Sequence, residues 1–104
     1  MNNGVKIGVG NLEGKGVYAK KNFRKGEIVV KYNLIPISEI EYHRLSESEK
    51  QFTHTHHGQI NLYSEPERYV NHSDNPNTYQ DFEIGADIAF REIKIGEMIT
   101  TDSG

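Results

Sequence analysis

Apolar and polar residues alternate in short runs through the first third of the chain, at Val5 to Val9, Val17 to Lys20 and Ile28 to Ile35, with glycines at positions 8, 10, 14, 16 and 26 between and within them. Period-two alternation cut by glycine turns predicts a meander of strands. From Pro36 to Gln51 the pattern changes. Ser38 with Glu41 and Ser46 with Glu49 stand at the spacing of a helix-capping box, and Ile37, Ile40 and Leu45 supply sparse apolar contacts, so one or two short helices are predicted there. Phe52 to Pro66 is rich in His, Thr and Gln and holds one strand pattern, Ile60 to Tyr63. It is expected to cross the surface as a loop and an edge strand. The β pattern then resumes at Asn77 to Phe82 and Ile84 to Phe90. In the second run Ile84, Ala86, Ile88 and Phe90 alternate onto one face, with Gly85 interrupting.

Ala19 to Val30 and Ala89 to Thr100 align without gaps, sharing Ala, Gly and Glu, with Lys21 opposite Arg91, Phe23 opposite Ile93 and Arg24 opposite Lys94. One hairpin device is used twice. In each copy a basic and an apolar residue lead to a Gly-Glu pair, Gly26-Glu27 or Gly96-Glu97, and an apolar strand follows. Glycine there permits the positive φ that such a turn requires, and the pairs read as turns without chemistry of their own.

Composition narrows the picture. With 104 residues, 35% hydrophobic, the chain suffices for one domain, residues 1–104, and is too short for two that each bury a core. Ten glycines, six tyrosines, four phenylalanines and no tryptophan favour strands and turns, hence a mostly β fold. A net charge of −3, with both signs interspersed, offers no basic face for a phosphate backbone and argues against direct nucleic-acid binding. The absence of cysteine excludes a disulfide framework and a thiolate zinc cluster. No apolar run approaches the roughly 20 residues of a membrane helix. Met1-Asn-Asn-Gly4 lacks the layout of a signal peptide, so a soluble, cytoplasmic protein is expected.

Three segments carry candidate chemistry. Gly14-Lys15-Gly16 gives main-chain groups close access to a ligand, although two glycines around one residue also suit any tight turn. Asn71 to Asn77 packs three asparagines, a histidine and a proline into seven positions, which fits a ligand site or a self-bonded surface loop. His54, His56 and His57 form a histidine run in which His54 and His56 share a face if the backbone is extended. No carboxylate or cysteine stands at a chelating spacing beside them. A polar loop or the mouth of a channel is therefore read before a metal site.

Arg68-Tyr69-Val70-Asn71-His72-Ser73, followed by two residues and Pro76-Asn77, resembles the signature of SET-domain methyltransferases, commonly written Arg-Phe-Ile-Asn-His-Ser-x-x-Pro-Asn. Three further segments match in the family's order. Gly14 to Ala19 resembles its opening Gly-x-Gly turn and strand. Gly26 to Tyr32 resembles the strand ending in Glu-Tyr, with Lys31 at the glutamate. Ala89 to Asp102 resembles the closing strand, with Met98 at the second glutamate of its Gly-Glu-Glu run. The resemblance implies a β-clip fold of small curved sheets whose C-terminal segment is threaded under an earlier loop. It implies S-adenosylmethionine as cofactor, with Lys15, Gly16, Tyr18, Arg68, Asn71 and His72 against it and no metal. It also implies a lysine of a protein or peptide entering by a narrow tunnel from the other side, with Tyr32 as a tunnel wall and the candidate catalytic residue. Read from their chemistry alone, Tyr18 and Tyr69 suit half-buried structural positions.

The reaction implied is direct displacement on a sulfonium methyl by a neutral amine, which needs alignment and an uncharged nucleophile. One departure bears on it. Where the family has a closing tyrosine after the aspartate, this chain has Ser103 after Asp102, and Thr101 stands where another tyrosine is often found. A SET-type module that binds cofactor or a peptide partner without transferring methyl groups is the alternative, and a histidine-based metal-binding domain the third.

Overall fold

Strands β1 (Val5–Leu12) and β2 (Lys15–Ala19) form an antiparallel hairpin in the computed structural model, which describes residues 2–102. The first strand runs on past Val9 to Leu12 through an irregular register. The run expected from Ile28 to Ile35 divides into β3 (Ile28–Lys31) and β4 (Ile35–Ile37), because Tyr32 to Leu34 carry the chain out of one sheet and into another. Two short helices follow, α1 (Glu39–Arg44) and α2 (Glu47–Lys50). Ser38 caps α1 in a reciprocal box with Glu41, and the Ser46 hydroxyl accepts from the Glu49 N–H at the head of α2. Neither buries a residue. The apolar contacts expected of this segment are redistributed: Ile37 belongs to β4 and Ile40 is 65% exposed.

The histidine run is not a loop. Thr53–His56 form β5, paired with β6 (Gln59–Leu62) across a two-residue turn at His57 and Gly58. After a single 3-10 turn at Glu67–Tyr69 come β7 (Asn71–His72), β8 (Thr78–Asp81), β9 (Ala86–Ala89) and β10 (Met98–Thr101). All four residues of β9 are buried, whereas Ile84 and Phe90 are each 58% exposed. The one-face alternation expected from Ile84 to Phe90 therefore fails at both ends: residues 82–85 form the turn from β8, closed by Gly85 at φ 82° and its N–H bond to Asp81 O. The sheets are β1-β2-β10-β7, β3-β9-β8 and β4-β6-β5. No helix among the described residues is long and apolar enough to cross a membrane.

The two copies of the Gly-Glu device bind each other. Phe23 N–H donates to Ile93 O at 2.7 Å and Ile93 N–H to Phe23 O at 2.9 Å. Gly26 N–H donates to Ala89 O as Gly96 N–H does to Ala19 O, and Glu27 O accepts from Ala89 N–H as Glu97 O does from Ala19 N–H, all at 2.9 Å. Each of these main-chain bonds in one copy has its twin in the other, a local two-fold relation. Gly26 and Gly96 sit at φ 91° and 92°, where a Cβ is strained. Each glutamate then caps its own turn, accepting from Arg24 N–H (2.6 Å) or Lys94 N–H (2.5 Å). Phe23 and Ile93 meet in the core with Val17, Val30 and Ile99.

Strand β10 is held from several directions. It pairs antiparallel with β2 and parallel with β7, where Thr100 faces Asn71 and Thr101 faces His72. From the loop beyond β7, the Asn77 amide donates to Met98 O and accepts from Thr100 N–H, both at 2.8 Å, and the Thr78 hydroxyl donates to Thr100 O at 2.7 Å. The C-terminal strand thus passes inside the loop from Asn71 to Thr78, an exception to the avoidance of threaded chains. Asn77 is 2% exposed, so truncation leaves a buried N–H and C=O unpaired. Asn77→Ala is expected to lower unfolding free energy by roughly 2–4 kcal/mol in urea titrations, while Asn75→Ala, on the exposed side of the same loop, leaves the midpoint unchanged.

Candidate functional site

Asn71 is the fastening between the first hairpin and the threaded strand. Its side-chain oxygen accepts from Asn11 N–H (2.8 Å), and its amide donates to Lys15 O (3.0 Å) and Tyr69 O (2.8 Å). The group is 3% exposed and spends its hydrogen-bonding capacity within the chain. Around the turn it fixes, the two glycines differ. Gly16 is buried, and a Cβ there would stand 3.2 Å from Met98 Cε and from Val9 O, so this glycine serves packing. Gly14, at φ 78°, has nothing within 4 Å of a built Cβ and leaves an open ledge of main chain. On that ledge the Lys15 ammonium lies 4.9 Å over the Tyr69 ring. Tyr18 donates its hydroxyl to Val9 O at 2.5 Å, closing the hairpin from its own side. The half-exposed His72 ring lies between Asp74 (3.3 Å) and Asp102 (3.8 Å). Ser103 lies outside the described residues.

Arg68 works as a latch. Its Nε and Nη2 donate to Tyr63 O at 3.0 and 2.8 Å, its Nη1 pairs with Glu49 of α2 at 2.9 Å, and its guanidinium stacks 4.8 Å from the Phe52 ring. All three nitrogens are engaged within the chain. The motif residues therefore separate: Lys15, Gly14 and His72 present groups outward, while Tyr18, Arg68 and Asn71 hold the frame.

Beside the frame is a cavity of about 110 Å³, lined among others by Tyr32, Tyr63, Glu67, Val70, Asp87 and Thr101. Tyr32 reaches it because it stands where the chain leaves β3 for β4, in the seam between two sheets. Its hydroxyl donates to Asp87 Oδ1 in a short bond, and its ring packs 6.1 Å from Tyr63 and 5.3 Å from Phe82. Glu67 Oε2 accepts from Asn33 N–H (2.8 Å) and Ser64 N–H (3.1 Å). Its Oε1 and the Thr101 hydroxyl are buried without a hydrogen-bond partner among the described residues. Tyr63, Glu67 and Asp87 were not singled out by sequence. Asp87 had a usable signal, a lone carboxylate inside the apolar run Ile84 to Phe90; Tyr63 and Glu67 had none, since only tertiary contacts bring them to Tyr32.

The family described as SET domain matches residues 14–103. A search of the curated proteins gave no match. Among solved structures, the crystal structure of a candidate histone methyltransferase of Plasmodium falciparum is similar, with a TM-score of 0.77 at 20% identity, covering 100% of this chain and 96% of that one.

The cavity's electrostatics follow from burial. Desolvation pushes the Asp87 carboxyl up to about 7; the bond from Tyr32 opposes this, and the nearby Glu67 charge adds to it. Glu67 is raised by burial too, against the two main-chain N–H groups that favour its charge. Burial carries Tyr63 to about 12 and, with Asp87 beside it, drives Tyr32 far above the ordinary phenol range. Because the folded-state value of Asp87 lies above its ordinary 3.8, its contribution to stability is complete below about pH 4 and is lost as pH rises through about 7. Asp87→Asn is expected to raise unfolding free energy at pH 8 by roughly 2–4 kcal/mol, at about 1.4 kcal/mol per pKa unit, and to flatten its decline between pH 4 and 8. Urea unfolding across that range measures both.

Proposed function

The chain belongs to the SET-domain family, and on that premise we propose that it is an S-adenosylmethionine-dependent methyltransferase whose acceptor is a lysine side chain of a protein. The observation that carries this reading is the tyrosine-walled cavity at Tyr32 and Tyr63, with two buried carboxyl groups and two oxygens, Glu67 Oε1 and Thr101 Oγ1, that have no hydrogen-bond partner among the described residues. An alkylammonium brings three N–H donors on an apolar stem. This is the complement of those oxygens and of Val70 and the aromatic walls.

The outward-facing groups suit the cofactor. Lys15 offers a cation to the carboxylate of its methionine part, the open Gly14 ledge offers main-chain groups, and His72 offers a ring beside the crossing. S-adenosylmethionine supplies a methyl group on a sulfonium, open to in-line attack. The chain's own residues prepare the nucleophile. Glu67 and Asp87 draw the lysine head inward as a cation. Inside a dry cavity an ion pair costs more than two neutral partners, so a carboxylate poised near 7 accepts the ammonium proton and leaves an amine. Asp87 is the acceptor; Tyr32, bonded to it, holds it in place and walls the tunnel. The amine left there would be the acceptor for the methyl group that bound S-adenosylmethionine would supply, its N–C bond forming as the C–S bond broke.

Ser103 in place of the closing tyrosine favours the second reading, a module that binds cofactor or peptide without transfer. A labelled-methyl assay on a mixed peptide pool separates the two. The enzyme reading expects label on lysine, a rate that rises with pH through about 7, a drop of roughly a hundredfold in kcat for Asp87→Asn, and a gain for Ser103→Tyr. Cofactor binding by calorimetry with no label after days leaves the module.

A further inference from the structure

The three histidines of β5 and its turn acquire in the fold what they lack in the sequence, a carboxylate. Glu83, on the turn between β8 and β9, places Oε1 3.1 Å from His57 Nε2 and 3.6 Å from His56 Nε2. The three ligand atoms lie within 4.8 Å of one another. The geometry points to a site for a divalent transition metal, of the zinc class, held by His56, His57 and Glu83.

Successive residues of a strand point to opposite faces, so neighbouring histidines do not ordinarily chelate together. Here His57 adopts φ 50°, and the turn brings the two rings to the same side, 4.0 Å between centroids. The spacing matches the demand. Ligands 2.0–2.1 Å from a tetrahedral zinc stand roughly 3.3 Å from each other, and the distances from Glu83 Oε1 to the two rings bracket that value. Two imidazoles and a carboxylate are a donor set suited to zinc, nickel or copper, with a further position left for water.

A plain ion pair accounts for the cluster less well. Only His57 is within hydrogen-bond reach of Glu83 Oε1. His56 Nε2 is buried and has no hydrogen-bond partner among the described residues. A shared cation takes a lone pair from all three groups at once. The scaffold beneath is rigid: His54 stacks on Phe82 with centroids 3.8 Å apart and planes 8° apart, clamping the two turns that supply the ligands. Phe82 in turn packs on Tyr32. The ion would therefore pin the outer side of the tyrosine wall, and the site stands or falls independently of methyl transfer.

The test is a zinc chloride titration of the untagged full chain by calorimetry at pH 7.5, with cobalt chloride absorption as a readout of coordination geometry. One zinc per chain and tetrahedral cobalt bands are expected. Glu83→Gln and His57→Asn, the second chosen because asparagine tolerates a left-handed backbone, each weaken binding at least tenfold while circular dichroism stays unchanged. Absence of zinc heat and of cobalt bands overturns the proposal, and so does equal affinity in the wild type and both variants.

Discussion

Strand β10 must find partners for its main chain on both sides while running through the middle of the molecule, and the rest of the fold is arranged to supply them. Thr100 shows this best: its N–H goes to Asn77, its carbonyl takes the Thr78 hydroxyl, and its neighbour across the parallel ladder is Asn71. A buried main-chain group left unpaired costs as much as several good contacts return, so the loop from Asn71 to Thr78 is fixed by what it wraps. Asn71 carries the constraint outward by binding Asn11 and Lys15, which sets the position of the first hairpin's turn. The Gly14 ledge, the threaded strand and the cavity wall at Thr101 are thus tied through two asparagines.

The paired Gly-Glu units provide the second frame. Their reciprocal bonds join Ala19–Glu27 to Ala89–Glu97, so that β2 with β10 and β3 with β9 are set against each other through the core at Phe23 and Ile93. Tyr32 leaves β3 just beyond this frame, while Asp87 lies in β9 beside it. The buried Tyr32–Asp87 bond is consequently a product of strand pairing, with the carboxyl kept above its ordinary range by its burial and by the nearby Glu67 charge. Such a group lowers stability at neutral pH.

What was legible in the chain had a local cause. The serine caps of both helices were readable because a capping box closes within four residues. The Gly-Glu turns were readable because a positive φ selects glycine. The motif from Arg68 to Asn77 identified the family, yet it did not reveal that Arg68 and Asn71 spend their polar atoms on the fold itself. That division depends on where Glu49, Tyr63 and Lys15 end up, and sequence spacing says nothing of it.

The sequence by itself determined the family, the mostly β class, the capped helices and the repeated turn, since each rests on interactions between near neighbours or on a run of matched residues. Only the tertiary structure decided that the His54–His56 segment is a strand, that Ile84 and Phe90 face outward, and that Glu67, Tyr63 and Asp87 join Tyr32 around one cavity. It alone brought Glu83 to His56 and His57. The cavity and the Glu83 contacts depend on residues 26 to 55 positions apart, and the chain carries no local signal for a contact whose energy is gained only when two distant strands have already found their sheets.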